Sequence, residues 1–239
     1  MMEFILTESE FNEDNTAWNG NRFLMGNGYF GIRGTLEEYT KKQMCAVNMA
    51  GIYDKMGNSW RESVNAPNPL YTYIKVNGKI YALPDEKPKF HQQELDFRYG
   101  IHSRVTHWQT EHGNITVVCE RFASIARQHN IAMKYTFSVD FDCEAEIITG
   151  IDGDVWDING PHFVKMKIGS KDGADYVTGM TGEKNISVTV KEYVRTDFQA
   201  EQTNQNTDKS IFRHIKFSAK AEKEYIIEKI AEITTSVDD

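Results

Sequence analysis

The stretch Asn21-Arg22-Phe23-Leu24-Met25-Gly26-Asn27-Gly28-Tyr29-Phe30-Gly31-Ile32-Arg33-Gly34-Thr35 decides how the rest of the chain is interpreted. Four glycines alternate in it with bulky apolar residues, and two arginines and two asparagines lie among them. Because glycine permits left-handed backbone and close approach of a neighbour, this density predicts bulges, a tight bend or a packed neighbouring surface. The segment does not fit a phosphate loop, since no Lys-Ser/Thr pair follows it.

The composition is that of an ordinary globular protein. The chain has 239 residues, 40% of them hydrophobic, and a formal net charge of -8 with a pI near 5.4. An acidic chain without a dense Lys/Arg run argues against a nucleic-acid or anionic-membrane partner. Three widely spaced cysteines, without a CxxC pair, and a start that lacks a signal peptide indicate a reducing, cytoplasmic location. The histidines show no metal-ligand spacing, so we expect no metal.

Strand signals dominate the rest of the chain. Apolar and polar residues alternate with a period of two from Ile131 to Val139, which predicts a strand with one buried face. The same reasoning predicts strands at Ile186–Val190, Ile211–Phe217, Arg104–Gln109 and Ile115–Arg121, a strand rather than a helix at Glu222–Ile233, and a hairpin at Thr72–Ala82. Asn77-Gly78 is the predicted two-residue turn of that hairpin.

The stretches between these strands are predicted to be irregular. Gln, Asn and Thr dominate Ala200–Ser210, and Gly and Pro punctuate Met56–Pro69, so both are predicted exposed loops. Glu8–Trp18 is predicted to be irregular chain or a short helix. Many short strands with frequent turns and no linker predict an all-β antiparallel sandwich, with residues 1–239 as a single domain. The polar end after residue 231 is typical of a domain boundary.

The opening motif resembles that of glycoside hydrolase family 65, and further stretches resemble the same family in the same order. These stretches are Gly51-Ile52-Tyr53-Asp54, Val64-Asn65-Ala66-Pro67-Asn68, Leu95-Asp96-Phe97-Arg98-Tyr99-Gly100 and Glu120-Arg121-Phe122-Ala123-Ser124. The family includes maltose, trehalose and kojibiose phosphorylases and acid trehalases. The resemblance implies an N-terminal super-β-sandwich of the galactose mutarotase-like kind. It also implies that the catalytic (α/α)6 barrel, with its general-acid Glu and phosphate site, is absent from this chain.

The resemblance implies a non-catalytic domain of an inverting disaccharide phosphorylase, which supports and borders the active site of the missing barrel. The parent would convert an α-glucosidic disaccharide and phosphate to β-glucose 1-phosphate and glucose, with phosphate as co-substrate and no cofactor. Three alternatives stay open: a domain of an α,α-trehalase-type hydrolase, a stand-alone carbohydrate-binding module, and a mutarotase-like epimerase. The expected partner is the chain's own catalytic domain, with the disaccharide contacted indirectly; a homodimer stays open.

Five carboxylates deserve testing as acids or bases: Glu37, Glu38, Asp96, Asp152 and Asp154. Glu37 and Glu38 are adjacent, so on a strand they would face opposite sides and could not share a substrate. Asp152 and Asp154 flank a glycine in a predicted turn, where structural reasons suffice for them. We therefore expect no catalytic residue in this chain.

Seven residues are the candidates for a domain interface or an active-site border: Arg22, Asn27, Tyr29, Arg33, Trp60, Asp96 and Arg98. On a regular strand Asn27, Tyr29 and Arg33 would share one face, and a planar guanidinium suits pairing with a carboxylate of the catalytic domain. Turn hydrogen bonds and a core tyrosine are the competing interpretation. Asp96 and Arg98, two residues apart, would share one face of a strand, and they are expected to form a structural ion pair or to contact the missing domain. Trp60 lies in the predicted loop Met56–Pro69 and is the tryptophan that best fits an active-site border or a dimer contact.

Overall fold

The computed structural model describes residues 4–238 and consists almost wholly of antiparallel strands. The first half contains one helix, α1 (Thr16–Arg22), 3-10 turns at Glu13–Asn15 and Lys41–Gln43, and strands β1 (Ile5–Glu8), β2 (Met25–Gly26), β3 (Phe30–Ile32), β4 (Val47–Asp54), β5 (Glu62–Asn65), β6 (Thr72–Val76), β7 (Lys79–Tyr81), β8 (Phe90–Asp96), β9 (Ile101–Gln109) and β10 (Asn114–Ala123). The second half contains β11 (Asn130–Val139), β12 (Cys143–Ile151), β13 (Phe163–Lys171), β14 (Ala174–Thr181), β15 (Ser187–Thr196), β16 (Glu201–Asn206), β17 (Ile211–Ala219) and β18 (Glu224–Thr235).

The strands form three sheets. A nine-stranded sheet has the order β1-β8-β9-β10-β11-β18-β15-β14-β13, a five-stranded sheet the order β16-β17-β12-β6-β7, and a four-stranded sheet the order β2-β3-β4-β5. Buried side chains from all three belong to one hydrophobic core, with Phe137 of the large sheet packing on Phe217 of the five-stranded sheet. The predicted all-β antiparallel sandwich is confirmed. Among the described residues, no helix is long and apolar enough to cross a membrane.

The opening motif forms a tight turn under the large sheet. Asn27 donates its backbone N–H to Phe30 O, and its side-chain oxygen accepts from Tyr29 N and Phe30 N, while Gly28 adopts a φ of 90°. At Gly34, a Cβ atom would collide with the backbone of Phe23. The bend and the close approach that the glycine density predicts are therefore both present.

Two loop predictions are wrong. Glu201–Asn206 is strand β16, but it lies at the edge of the five-stranded sheet with all its side chains exposed. Without a buried face it shows no apolar alternation, so the sequence carries no strand signal there. Within the predicted loop Met56–Pro69, Glu62–Asn65 is strand β5. The predicted hairpin is confirmed, with Asn77 and Gly78 both at positive φ.

Candidate functional site

One end of the sandwich collects most of the residues that the sequence singles out. Because neighbouring strands of the nine-stranded sheet run antiparallel, the loops 97–100, 124–129 and 182–186 and the segment 236–238 all emerge at this end. The loop 55–61 between β4 and β5 joins them, since Arg61 pairs with Glu183. We call these five segments the hydrophobic end.

The hydrophobic end carries large apolar side chains that no part of the described chain covers. Tyr99 is 72% exposed, Ile125 85% and Trp60 60%. The side chains of this kind on or beside the five segments are Phe4, Leu24, Tyr53, Met56, Trp60, Phe97, Tyr99, Ile125, Ile158, Val164 and Val237. So many large exposed apolar side chains at one end of a domain indicate an interaction site rather than an ordinary solvated surface.

Asn27 and Tyr29 fasten two of these segments to the opening motif. Asn27 donates its side-chain N–H groups to Ser124 O at 2.7 Å and to Gln128 O at 2.8 Å. The Tyr29 hydroxyl donates to Asp238 Oδ2 at 2.7 Å. Burial and this hydrogen bond raise the pKa of Tyr29. These two residues therefore hold the segments 124–129 and 236–238 in place through hydrogen bonds from the opening motif.

Arg33 and Arg22 do not join that pair. Arg33 donates to Ala17 O and to Asn21 Oδ1, each at 2.8 Å, and so fixes helix α1. The guanidinium of Arg22 lies 5.5 Å from the ring centroid of Phe23. The expected shared face of Asn27, Tyr29 and Arg33 is absent because the turn at 27–30 interrupts the strand between them.

Asp96 and Arg98 form the structural ion pair, with 3.2 Å between Arg98 Nη2 and Asp96 Oδ2. They do not share a strand face, because β8 ends at Asp96 and Arg98 lies in the following turn. Asp96 Oδ1 also accepts the backbone N–H of Arg98, which tightens the turn. The turn presents Phe97 and Tyr99 to solvent.

The loop that carries Trp60 is exposed from Met56 to Arg61, and hydrogen bonds and ion pairs hold its base. Arg61 forms a bidentate pair with Glu183, whose backbone N–H donates to Asp54 Oδ1 at 2.9 Å. His162 Nδ1 lies 3.2 Å from Asp54 Oδ2, and its Nε2 lies 2.7 Å from Glu62 Oε1. Sequence reasoning missed this polar group, since its members lie 108 and 100 residues apart along the chain.

Two of the candidate carboxylates are sealed in the core. Glu37 and Glu38 do not lie on a strand, and both contact Arg104; Glu37 also pairs with Arg121 at 2.7 Å. Burial opposes the charge of Glu37, but Arg121 and Arg104 outweigh it and lower its pKa. The expectation that the two side chains face opposite sides is wrong, because a turn lets both point inward. Neither carboxylate is accessible to a substrate.

The turn that the sequence predicts at Asp152 and Asp154 is not formed: Asp152 makes an isolated bridge with Asn68, and Asp154 follows in irregular chain. Asp152 Oδ1 accepts from the backbone N–H of Asp154 at 3.0 Å and from the Ser210 hydroxyl at 2.8 Å. Asp154 pairs with Lys41 at 2.6 Å and Lys209 at 2.7 Å. These contacts account for both carboxylates on structural grounds.

Comparisons with known proteins agree with this architecture. Residues 6–239 match the family model described as glycosyl hydrolase family 65, N-terminal domain. The chain belongs to this family. A nigerose phosphorylase of Lachnoclostridium phytofermentans is 51% identical over 166 residues, which cover 70% of this chain and 22% of the relative. A 1,2-alpha-glucosylglycerol phosphorylase of Bacillus selenitireducens is 36% identical over 221 residues, 92% of this chain and 29% of the relative.

A solved structure confirms the fold of this family 65 domain. It is described as a kojibiose phosphorylase from human microbiome, and it superimposes with a TM-score of 0.86 at 19% identity, covering 97% of this chain and 32% of that one. The chain thus spans less than a third of the length of these relatives. The resemblance inferred from the opening motif is confirmed, and the family's full-length members contain a further, catalytic domain.

Proposed function

We propose that this chain is the non-catalytic N-terminal domain of an inverting disaccharide phosphorylase and that its hydrophobic end packs against the catalytic domain. The observation that carries the proposal is the apolar surface on a chain whose family is built of longer enzymes. An interface between domains of one chain buries apolar side chains within a polar rim. Arg61, Asp96 and Arg98 supply such a rim around Trp60 and Tyr99.

The chemistry of phosphorolysis fits a domain without catalytic groups. A phosphate oxygen attacks the anomeric carbon, the glycosidic carbon–oxygen bond breaks, and a general acid protonates the leaving oxygen. The acid needs access to the substrate, whereas Glu37 and Glu38 are buried in ion pairs and Asp96 is held by Arg98. We therefore assign the acid and the phosphate site to the catalytic domain, and we propose phosphate as the only co-substrate and a cytoplasmic location.

Within this proposal, Trp60 and Tyr99 border the substrate-binding region across the domain interface. Each ring lies next to an arginine that pairs with a carboxylate, Arg61 with Glu183 and Arg98 with Asp96, so each exposed ring has a polar contact beside it. Aromatic rings are suited to such contacts because they offer a large apolar face with a polar edge. Arg22 and Arg33 are left out of this role, since their contacts lie within the domain.

Activity of the full-length enzyme tests the proposal. The enzyme should be incubated with phosphate and, separately, nigerose, kojibiose, trehalose and maltose, with release of β-glucose 1-phosphate measured. Nigerose is the first substrate to try, because the nigerose phosphorylase is 51% identical over the aligned residues. We expect phosphate-dependent cleavage of at least one α-glucosidic disaccharide and no turnover by residues 1–239 alone. A cleavage rate that does not depend on phosphate would favour the trehalase-type hydrolase instead.

The two stand-alone alternatives have their own tests. A carbohydrate-binding module requires measurable disaccharide affinity in the isolated chain, checked by calorimetric titration. An epimerase requires a His and a Glu with a sugar between them. The structure brings His162 against Glu62 at 2.7 Å and His214 against Glu146 at 2.8 Å. These pairs are in direct contact and leave no room for a sugar, so neither supports an epimerase; anomer exchange by the chain would contradict this.

A further inference from the structure

His162 is enclosed by carboxylates at the base of the loop that carries Trp60. Its side chain is 1% exposed, and each of its two ring nitrogens faces a different carboxylate oxygen. Asp54 ends strand β4 and Glu62 begins β5, so the two carboxylates mark the two ends of the loop 55–61. The imidazole therefore bridges both ends of the loop to the segment that precedes β13.

The geometry selects the charged form of the imidazole. A neutral imidazole has one N–H and one lone pair, so it can donate to only one carboxylate and turns a lone pair toward the other. The imidazolium donates to both, at 3.2 Å to Asp54 and 2.7 Å to Glu62. Two charge-assisted hydrogen bonds in a buried place are stronger than neutral ones.

Among the charged groups around His162, carboxylates outnumber cations, which favours the imidazolium. The groups that face the site from the packed elements are Asp54 on β4, Lys55 and Arg61 in the loop 55–61, Glu62 on β5, Asp157 on the segment before β13, and Glu183 at the turn between β14 and β15. Burial disfavours the imidazolium, but the hydrogen bond to Glu62, the charge of Asp157 and the hydrogen bond to Asp54 outweigh it and raise the pKa of His162. Burial also raises the pKa of Asp157.

We infer that His162, as an imidazolium, is the positioning residue of the loop 55–61 and holds Trp60 in place at the hydrophobic end. Below its pKa in the folded protein, the clamp of Asp54, His162 and Glu62 is closed. As the pH rises through that pKa, one hydrogen bond becomes a repulsion and the loop base opens. The inference rests on the proposed domain-docking role only for its consequence in the full-length enzyme; the clamp itself is a property of this chain.

Backbone amides report directly on the clamp. Ile158 N–H and Asn159 N–H donate to Glu62 Oε1 at 3.0 and 2.9 Å, and Glu183 N–H donates to Asp54 Oδ1 at 2.9 Å. Hydrogen exchange of these amides and of the loop 55–61 should be measured at pH 6 and pH 9 and expressed relative to intrinsic exchange. We expect protection to fall by up to tenfold for each pH unit between the ordinary pKa of an exposed histidine and the raised folded pKa of His162, and to level off above the folded pKa.

Two variants separate the clamp from general stability. His162→Gln should show low protection of these amides already at pH 6 and lose the pH dependence. His214→Gln is the matched control, since His214 also bonds a carboxylate, Glu146 at 2.8 Å, but its other nitrogen faces an amide, Gln205, and it lies on β17. It should leave the reporter amides unchanged.

A third variant keeps the test decisive if His162→Gln does not fold. Asp54→Asn removes one of the two charges that hold the imidazolium, so it should lower the pH at which protection is lost. Equal protection of the wild-type amides at pH 6 and pH 9, or an Asp54→Asn profile that matches the wild type, would overturn the inference. Because exchange in this chain does not require activity, that failure is distinguishable from failure of the proposed phosphorylase function.

Discussion

The two ends of the sandwich differ in what they leave exposed. At the hydrophobic end, Trp60, Tyr99 and Ile125 project into solvent from anchored segments. The opposite end consists of the loops 110–113, 140–142, 172–173 and 220–223, and we call it the charged end. Within these loops the aromatic residue Phe141 is half-buried, and the exposed charged or polar side chains are Glu111, His112, Asp140, Asp142, Asp172, Lys220, Glu222 and Lys223. Beside the loops, Phe90 and Ile80 are exposed to 42% and 45%, less than Trp60, Tyr99 or Ile125.

The difference in exposed side chains indicates that a partner binds at the hydrophobic end. Both ends are built from the same strands and the same kinds of turn, so their composition is not imposed by the fold. The charged end is composed as a solvated surface, with exposed ion pairs such as Lys220 with Asp142 at 2.7 Å. At the hydrophobic end, buried polar contacts hold the loops that carry exposed apolar side chains. Such an arrangement is expected where another protein surface binds and covers those side chains.

The largest loss of stability is expected from a change in the buried core, which supports both ends of the sandwich. Arg104→Ala leaves Glu38 without its cation and Glu37 with Arg121 alone, in a site where all three side chains are buried. Uncompensated buried charge costs about 3–5 kcal/mol. Urea denaturation should show this loss in the free energy of unfolding, with both ends melting together. Arg98→Ala, which breaks the exposed pair with Asp96, is the control and should hardly move the denaturation midpoint.

The second effect concerns self-association of the isolated chain. Replacing Trp60 and Tyr99 by Ser should weaken association by about tenfold or more, because two exposed aromatic faces are removed. Sedimentation at several concentrations measures this. Phe90→Ser is the matched control, since Phe90 is also exposed but begins β8 at the charged end. Wild-type chain that stays monomeric at all concentrations would count against a large exposed interface.

The third effect is a local loss of protection in the segment that Asn27 holds at the hydrophobic end. Asn27→Ala removes the donors to Ser124 O and Gln128 O, at a cost of about 1–2 kcal/mol. Hydrogen exchange should then rise in 124–129 and leave 140–142 unchanged. Asn114→Ala, which removes a contact with Asp140, should do the reverse. Exchange that rises at both ends in either variant would show that the ends are not independent.

The smallest effect is expected at the charged end. Lys220→Ala breaks the ion pair with Asp142, in which the side chains are 67% and 60% exposed. Exposed pairs gain little because water and salt screen them. Melting temperature and association should both match the wild type. A clear loss of either would mean that this end carries a function that its composition does not suggest.

The sequence predicts the parts of this structure that have one buried face. Ile131–Val139 alternates because one side of β11 faces the core, and Asn77-Gly78 fixes its hairpin through local backbone chemistry. Strand β16 leaves no such signal, since an exposed edge strand has no apolar period. The family can be recognised from the sequence because the opening motif and the later stretches occur in the same order along most of the chain.

The candidate site is harder to predict because it depends on distant contacts. Tyr29 meets Asp238, and His162 meets Asp54 and Glu62, only after the sheets have formed. Nothing local in the sequence marks these pairs. The prediction for Glu37 and Glu38 was wrong because of local geometry. The alternation of side chains applies to a strand, whereas these two residues lie in a turn.

The measurement that tests the central claim most directly is hydrogen exchange of the full-length enzyme compared with residues 1–239. The account predicts added protection in the enzyme at 55–61, 97–100 and 124–129, with exchange at 110–113 and 140–142 unchanged. Added protection at the charged end alone, or at neither end, would contradict the claim that the hydrophobic end is the docking surface for the catalytic domain.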